Sequence, residues 1–323
     1  MSRLEESGVT ERYRQGQARI GARLSALVLG SWRRTFRPTD IQGSAAEWID
    51  DVMPAVRESR GRSRRLSGAY VRIIRALSIG STLPPLDAEG PTLNATTLGD
   101  LADDFADELD EPRRRYDNGP TRVLIDADDG WPDSDRESED RRATVSLSVT
   151  GPVRVRRYAN ELDQRGRLDD PDFLRDLARI TDEAGASAAG AAGREALMGG
   201  RDLVHGLAET DSRIIGWARV PDEDPCWLCS MLASRGAVYR SELTARFRNT
   251  GRRRFDPEAP DQYHTNCQCV PVPIYSRTDW IPPESLRYQR DWLRVTNGLG
   301  GAEARAAWRQ YITAQRRERR ANT

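Results

Sequence analysis

The sequence predicts an α+β fold that is predominantly α-helical, with a helical N-terminal region and a small α/β region near the C-terminus organised around a Cys/His knuckle. Three observations predict it. Apolar residues recur at helical spacing through most of the first 80 positions and again beyond residue 152. Stretches with strand character are few and short. All four cysteines lie between Cys226 and Cys269, a window that also holds His264, one of only two histidines.

In chain order, Ile20, Leu24, Leu27 and Val28 mark one apolar helical face. Trp48, Val52 and Val56 mark a second, which Pro54 should kink or split. Leu66, Tyr70, Ile73 and Leu77 mark a third, stopped by Pro84 and Pro85. Each stripe reads as core. A short helix is expected over 98–109 and a brief strand over 121–125. The run 126–140 reads as a long exposed loop, too polar to offset its ordering entropy. Val145, Leu147 and Val149 permit a short strand or the lead into a helix. Thr150-Gly151-Pro152 reads as a helix start, with Thr as N-cap.

A further helix begins near Pro171, with Phe173, Leu174, Leu177 and Ile180 on one face. It enters a run of alanine and glycine suited to close helix packing, with a break expected at Gly199-Gly200. His205 reads as an ordinary surface or packing histidine, with Asp202 and Glu209 within reach on the helix. The segment 214–220 is a buried strand leading to the cysteines, and 270–275 an extended edge piece, because its two prolines forbid a central strand. Trp308, Tyr311 and Ile312 place a helix in the tail. The expected organisation is a helical N-terminal region over 1–85, an acidic loop-rich linker over 86–142, a knuckle-bearing domain over 143–280 and a helical tail over 281–323.

The 323 residues suffice for one large domain or two ordinary ones, and 50 basic residues balance 50 acidic ones. Mean hydropathy is −0.70, and no stretch approaches the roughly 20 apolar residues of a spanning helix. The early apolar run at 20–32 contains Arg23 and lacks a signal-peptide layout. A protein made and used in a cytoplasm, with no membrane partner, is the expectation. Every basic residue is arginine, and charge is segregated: 16 Asp and Glu stand against 5 Arg over 98–140. Arg316, Arg317, Arg319 and Arg320 crowd the C-terminus. Such blocks are expected to be solvated or mobile, and a basic tail is a weak signal for nucleic acid.

The knuckle is Cys226-Trp-Leu-Cys229, then 34 residues, then His264-Thr-Asn-Cys267-Gln-Cys269. A C-x-x-C turn brings two thiolates to one side of a tight loop, and soft Cys/His sets select zinc. Five candidates exist for the four places of a structural zinc site: Cys226, Cys229, His264, Cys267 and Cys269. If 267–271 is extended, Cys267 and Cys269 share a face, and the sequence does not choose between them. Reduced cysteines without metal and a disulfide pair are the competing readings; closed structural zinc is preferred for a cytosolic chain. Between the half-motifs, Arg252, Arg253 and Arg254 are candidates for phosphate contact.

The segment 216–239 (GWARVPDEDPCWLCSMLASRGAVY), followed by 263–273 (YHTNCQCVPVP), resembles the Mu F-like phage head morphogenesis proteins, and within them the actinobacteriophage branch described as capsid maturation or minor capsid proteins. The shared pattern is C-x-x-C, a short Gly-x-Val-Tyr strand, a variable loop, then His-x-x-Cys-x-Cys before a Val/Pro-rich strand. The likeness covers about residues 145–310. It implies a minor capsid protein acting in prohead assembly, with the portal and capsid proteins as partners and packaged DNA as a further contact. It also implies a place in the virion, at the capsid interior or portal vertex, and in the host cytoplasm during assembly. The branch also carries the label of maturation protease. That activity needs a histidine base beside a nucleophile, and only His205 is free if His264 binds metal. A nuclease of the Cys-knuckle type needs a further histidine near the metal. No catalytic residue is therefore predicted, and the knuckle is expected to clamp two strands and the loop between them.

Overall fold

The computed structural model describes residues 3–87, 94–113, 121–126, 128–163, 171–237 and 263–322. The fold is predominantly helical α+β, with two small sheets among the described residues. Its frame is three long helices packed on one another: α1 (Arg3–Thr35), α2 (Ile41–Ile79) and α6 (Pro171–Thr210). Between them in sequence lie β1 (Ser81–Thr82), β2 (Ala95–Thr97), α3 (Leu98–Glu108), β3 (Arg122–Ile125), α4 (Arg136–Thr150) and α5 (Pro152–Asp163). After α6 come β4 (Gly216–Val220), α7 (Trp227–Ser234), β5 (Val270–Ile274), α8 (Leu286–Val295) and α9 (Gly301–Ala321).

The second and third apolar stripes belong to one continuous helix, α2. Pro54 does not split it, because it lies on the exposed face, as does Asp50, the residue whose carbonyl loses its partner. Trp48, Val52, Val56, Leu66, Tyr70 and Ile73 are all buried, and each such large apolar side chain contributes roughly 1.5–3 kcal/mol. On α1, Ile20, Leu24 and Val28 are buried, but Leu27 is exposed. Helix α2 ends at Gly80, whose φ of 76° lets its N–H reach the carbonyl of Ala76.

The alanine-rich run of α6 does what its composition predicts, but the break expected at Gly199-Gly200 does not occur. Both glycines lie inside α6 because α2 crosses there at backbone contact: a Cβ on Gly200 would overlap Ser67 Oγ and sit 2.8 Å from the carbonyl of Ser63. The crossing is closed by polar bonds. Gln17 Nε2 donates to the Ser63 carbonyl at 3.0 Å, Ser63 Oγ to Gln17 Oε1 at 2.7 Å, and Tyr13 and Ser67 share a hydrogen bond of 2.8 Å. Here glycine is selected by packing and not by turn geometry.

The acidic stretch is folded onto arginines of the helical frame. On α3, which is capped by a Thr97/Asp100 capping box, Asp104 pairs with Arg72 and Glu108 with Arg65; beyond its end Asp110 pairs with Arg62 and Glu111 with Arg12. The run 126–140 differs from the expected exposed loop. Asp129 is buried, Trp131 Nε1 donates to the Pro84 carbonyl at 2.9 Å, and α4 begins at Arg136. Residues 144–149 are helical, so Val145 and Val149 are exposed while Leu147 is buried. Thr150 ends α4, its hydroxyl donating back to the Ser146 carbonyl, and Pro152 opens α5.

The basic tail is also folded back. Arg316, Arg319 and Arg320 on α9 surround the single carboxylate of Asp224, at 3.0, 3.1 and 3.4 Å. Trp308 and Ile312 on the same helix close a second apolar cluster with Leu228, Met231 and Leu232 of α7 and Tyr288 of α8. The C-terminal helices thus brace the loop and helix that carry the first half-motif. No helix among the described residues is long and apolar enough to cross a membrane.

Candidate metal centre

Strands β4 and β5 pair antiparallel, with Ala218 opposite Val272 and Arg219 opposite Pro271. Alternate residues of a strand turn their N–H groups to the same side, so Pro271 and Pro273, two apart, give up donors only on the open edge. The pairing brings the end of β4, just before Cys226, beside the start of β5, just after Cys269. This juxtaposition closes the knuckle.

The first half-motif is a helix N-terminus. Cys226 caps α7, its Sγ accepting the N–H of Cys229 at 3.4 Å. The neighbouring Cys229 thiol and the backbone donors take the Cys226 thiol down to about 7, against burial. In the second half-motif Asn266 adopts a positive φ of 65°, which asparagine tolerates and which turns the chain back. Its side chain fits against Gly190 of α6, where a Cβ would collide with it.

Five ligand atoms meet there as two triads that share Cys229: Cys226, Cys229 and His264, and Cys229, Cys267 and Cys269. Within each triad all donor atoms lie within 4.8 Å of one another. Cys229 Sγ is 3.5 Å from Cys267 Sγ and 3.8 Å from His264 Nε2, which is itself 3.0 Å from Cys226 Sγ. Cys229, Cys267 and Cys269 are buried, and all four cysteines are free of disulfides. His264 Nδ1 is 2.8 Å from the Thr265 carbonyl. In the neutral imidazole that a metal requires, donating there leaves Nε2 as the lone-pair nitrogen facing the sulfurs.

Electrostatics favours thiolate at the shared position. Cys226 pushes Cys229 upward, but hydrogen bonds from Cys267 and Cys269 outweigh it and hold it at about 5. Cys269 moves the opposite way, raised by Cys229, Cys267 and burial. The Cys229 thiolate draws His264 up to about 9 against burial. A buried thiol and imidazole set at these separations can hold a metal ion.

A family model described as VG15 protein matches residues 157–295. The match suggests a phage protein. It takes in all of α6, both half-motifs and the β4–β5 pair, so the ligand cluster lies wholly inside it. No match is found among curated proteins or among solved structures.

The other site expectations fare differently. Arg252, Arg253 and Arg254 lie outside the described residues. Of the two ordinary readings of His205, surface or packing, the structure gives the packing one. Asp202 pairs with Arg142, while His205 Nε2 bonds the hydroxyl of Tyr263 at 3.1 Å and its ring meets Trp217 edge-on at 4.1 Å. Burial, with Arg219 and Arg201 adding to it, takes His205 down to about 3, so it is neutral at ordinary pH.

Sequence reading missed four residues around the cluster: Gly190, Arg201, Arg219 and Tyr263. The one signal for Arg219 was a charged residue inside an otherwise apolar strand. Gly190 and Arg201 gave none, since their roles depend on where α6 passes.

Proposed function

We propose that the chain is a minor capsid protein of a phage head, associated with the portal and acting in prohead assembly, with a structural zinc centre that staples its C-terminal half. The observation that carries this reading is the buried Cys/His cluster inside the matched region. A tetrahedral zinc ion places two sulfurs about 3.8 Å apart and a sulfur and a nitrogen about 3.6 Å apart. The separations of 3.5 Å for Cys229 to Cys267 and 3.8 Å for Cys229 to His264 fall close to those edges, while His264 to Cys226, at 3.0 Å, is shorter and would have to open on binding. Cys226, Cys229, His264 and Cys267 would hold the ion. Cys269, whose Sγ points toward Asp222 Oδ2 at 4.0 Å, would stand behind them as a neutral thiol.

Bound there, zinc would supply cross-linking alone, tying the N-terminus of α7 to the turn on α6 and to β5. A protein that must hold shape inside a large assembly gains from such a staple where the local apolar content is small. The maturation-protease and nuclease readings each need a histidine base. The packing of His205 against Trp217 and Tyr263, and the place of His264 among the sulfurs, favour the assembly role.

Quantitative mass spectrometry of purified virions and of proheads from the same phage tests the reading. A low-copy, full-length chain in both is the expected result. A chain abundant in proheads but fragmented or missing in virions would overturn it in favour of a transient scaffold or a maturation activity.

A further inference from the structure

We propose that Arg201 and Arg219, joined through Tyr263, are positioning residues of the metal centre, fixing the second half-motif and balancing its thiolate charge; this rests on the zinc reading above. Both arginines are almost wholly buried. Their guanidinium carbons lie 3.8 and 4.1 Å from the centroid of the Tyr263 ring, distances that leave room for one on each face. Arg201 Nη2 donates to the carbonyls of Cys267 at 2.7 Å and Cys269 at 2.9 Å, and its Nε donates to Cys269 at 3.2 Å. Those carbonyls flank Gln268, so one planar fork sets the direction in which both sulfurs leave the backbone. Arg219 Nη1 stands 3.7 Å from Cys229 Sγ, the atom common to both triads.

The charges explain why two guanidinium groups are tolerated in the interior. A buried cation is costly unless negative charge lies close by. Among the described residues Arg201 has no ion-paired carboxylate; its partners are the two cysteine carbonyls and the aromatic ring. Three thiolates and a divalent cation leave one net negative charge, which offsets one of the two guanidinium groups, while the Tyr263 ring and the cysteine carbonyls solvate the other. The cluster and Arg201 are each poorly accommodated alone and complementary together. Arg201 comes from α6 and Arg219 from β4, so the pair also couples the ligand turn to the helical frame.

The test uses the full chain with zinc and with cobalt, comparing wild type with Arg201→Met, Arg201→Lys and Arg219→Met. Zinc affinity is measured by chelator competition and ligand geometry by the thiolate-to-cobalt absorption band. Each methionine variant is expected to lose roughly ten- to hundredfold in zinc affinity with a shifted cobalt band, as outer partners of metal ligands do. Arg201→Lys keeps charge and one donor and should fall between; it also serves if Arg201→Met does not fold. Variants that melt earlier yet keep wild-type affinity and spectrum would overturn the proposal and leave the metal centre standing. A wild-type chain that takes up neither metal would remove the metal centre itself, and the proposal with it.

Discussion

Asp129, in the middle of the most acidic stretch of the chain, lies 2.7 Å from Nη2 of Arg75, a side chain with no exposure to solvent. Asp126 meets the same guanidinium at 2.7 Å and Asp211 at 3.1 Å, and Tyr275 donates its hydroxyl to Asp211. One arginine on α2 therefore ties the segment before α4, the end of α6 and the end of β5 to one point. Replacing Arg75 by Met should cost about 3–5 kcal/mol, because Asp211 and Asp129 would remain buried without their counter-charge. Urea denaturation checks this; a loss below about 1 kcal/mol would mean the network is a solvated surface feature.

Gly200 tests the α2–α6 crossing. Gly200→Ala should destabilise by roughly 1–3 kcal/mol or more although alanine is the better helix former, since the added methyl meets Ser63 and Ser67. A stabilised variant in thermal melts would show that the two helices do not touch there.

The ligand assignment separates two neighbouring cysteines. Cys226→Ser and Cys267→Ser should abolish stoichiometric zinc and open the region around 263–270 to proteases, leaving the three-helix frame protected. Cys269→Ser should keep one zinc per chain. Elemental analysis with limited proteolysis reads both, and loss of zinc in Cys269→Ser alone would exchange the roles of Cys267 and Cys269.

His205 gives the protein a pH dependence of predictable sign. Burial, Arg219 and Arg201 depress its folded value to about 3, below the ordinary 6.5. Between those values the unfolded chain binds the extra proton, so stability falls as pH drops below about 6.5, by at most about 1.4 kcal/mol per unit. Denaturation at pH 7, 6 and 5 should show a smaller drop for His205→Gln than for wild type. Parallel curves would mean that His205 takes up its proton without leaving its packed position.

Much of the helical frame was legible in the sequence. Local periodicity carries the information for a helix, so the stripes at Ile20, Trp48 and Leu66 needed no partner to be recognised. The clustering of every cysteine with His264 likewise announced the ligand cluster, because C-x-x-C and H-x-x-C-x-C are short-range patterns. Pro54 and Gly199-Gly200 misled for one reason: their local cost is real, but tertiary packing and an exposed face absorb it. For His205 the sequence left surface and packing roles open, because helical spacing put Asp202 within reach while the aromatic pair Trp217 and Tyr263 arrives from elsewhere in the chain.

The sequence by itself determined the helical class, the positions of β3, β4 and β5, and the set of five metal-ligand candidates, all of which depend on residues near one another. Only the tertiary structure decided what those elements meet. It folded the acidic stretch onto the arginines of α1 and α2, returned the basic tail to Asp224, and placed Arg201 and Arg219 against Tyr263 beneath the sulfurs. Charge pairing and stacking act through space over a few ångströms, and the distance between two side chains in the folded chain is not encoded in their separation along it.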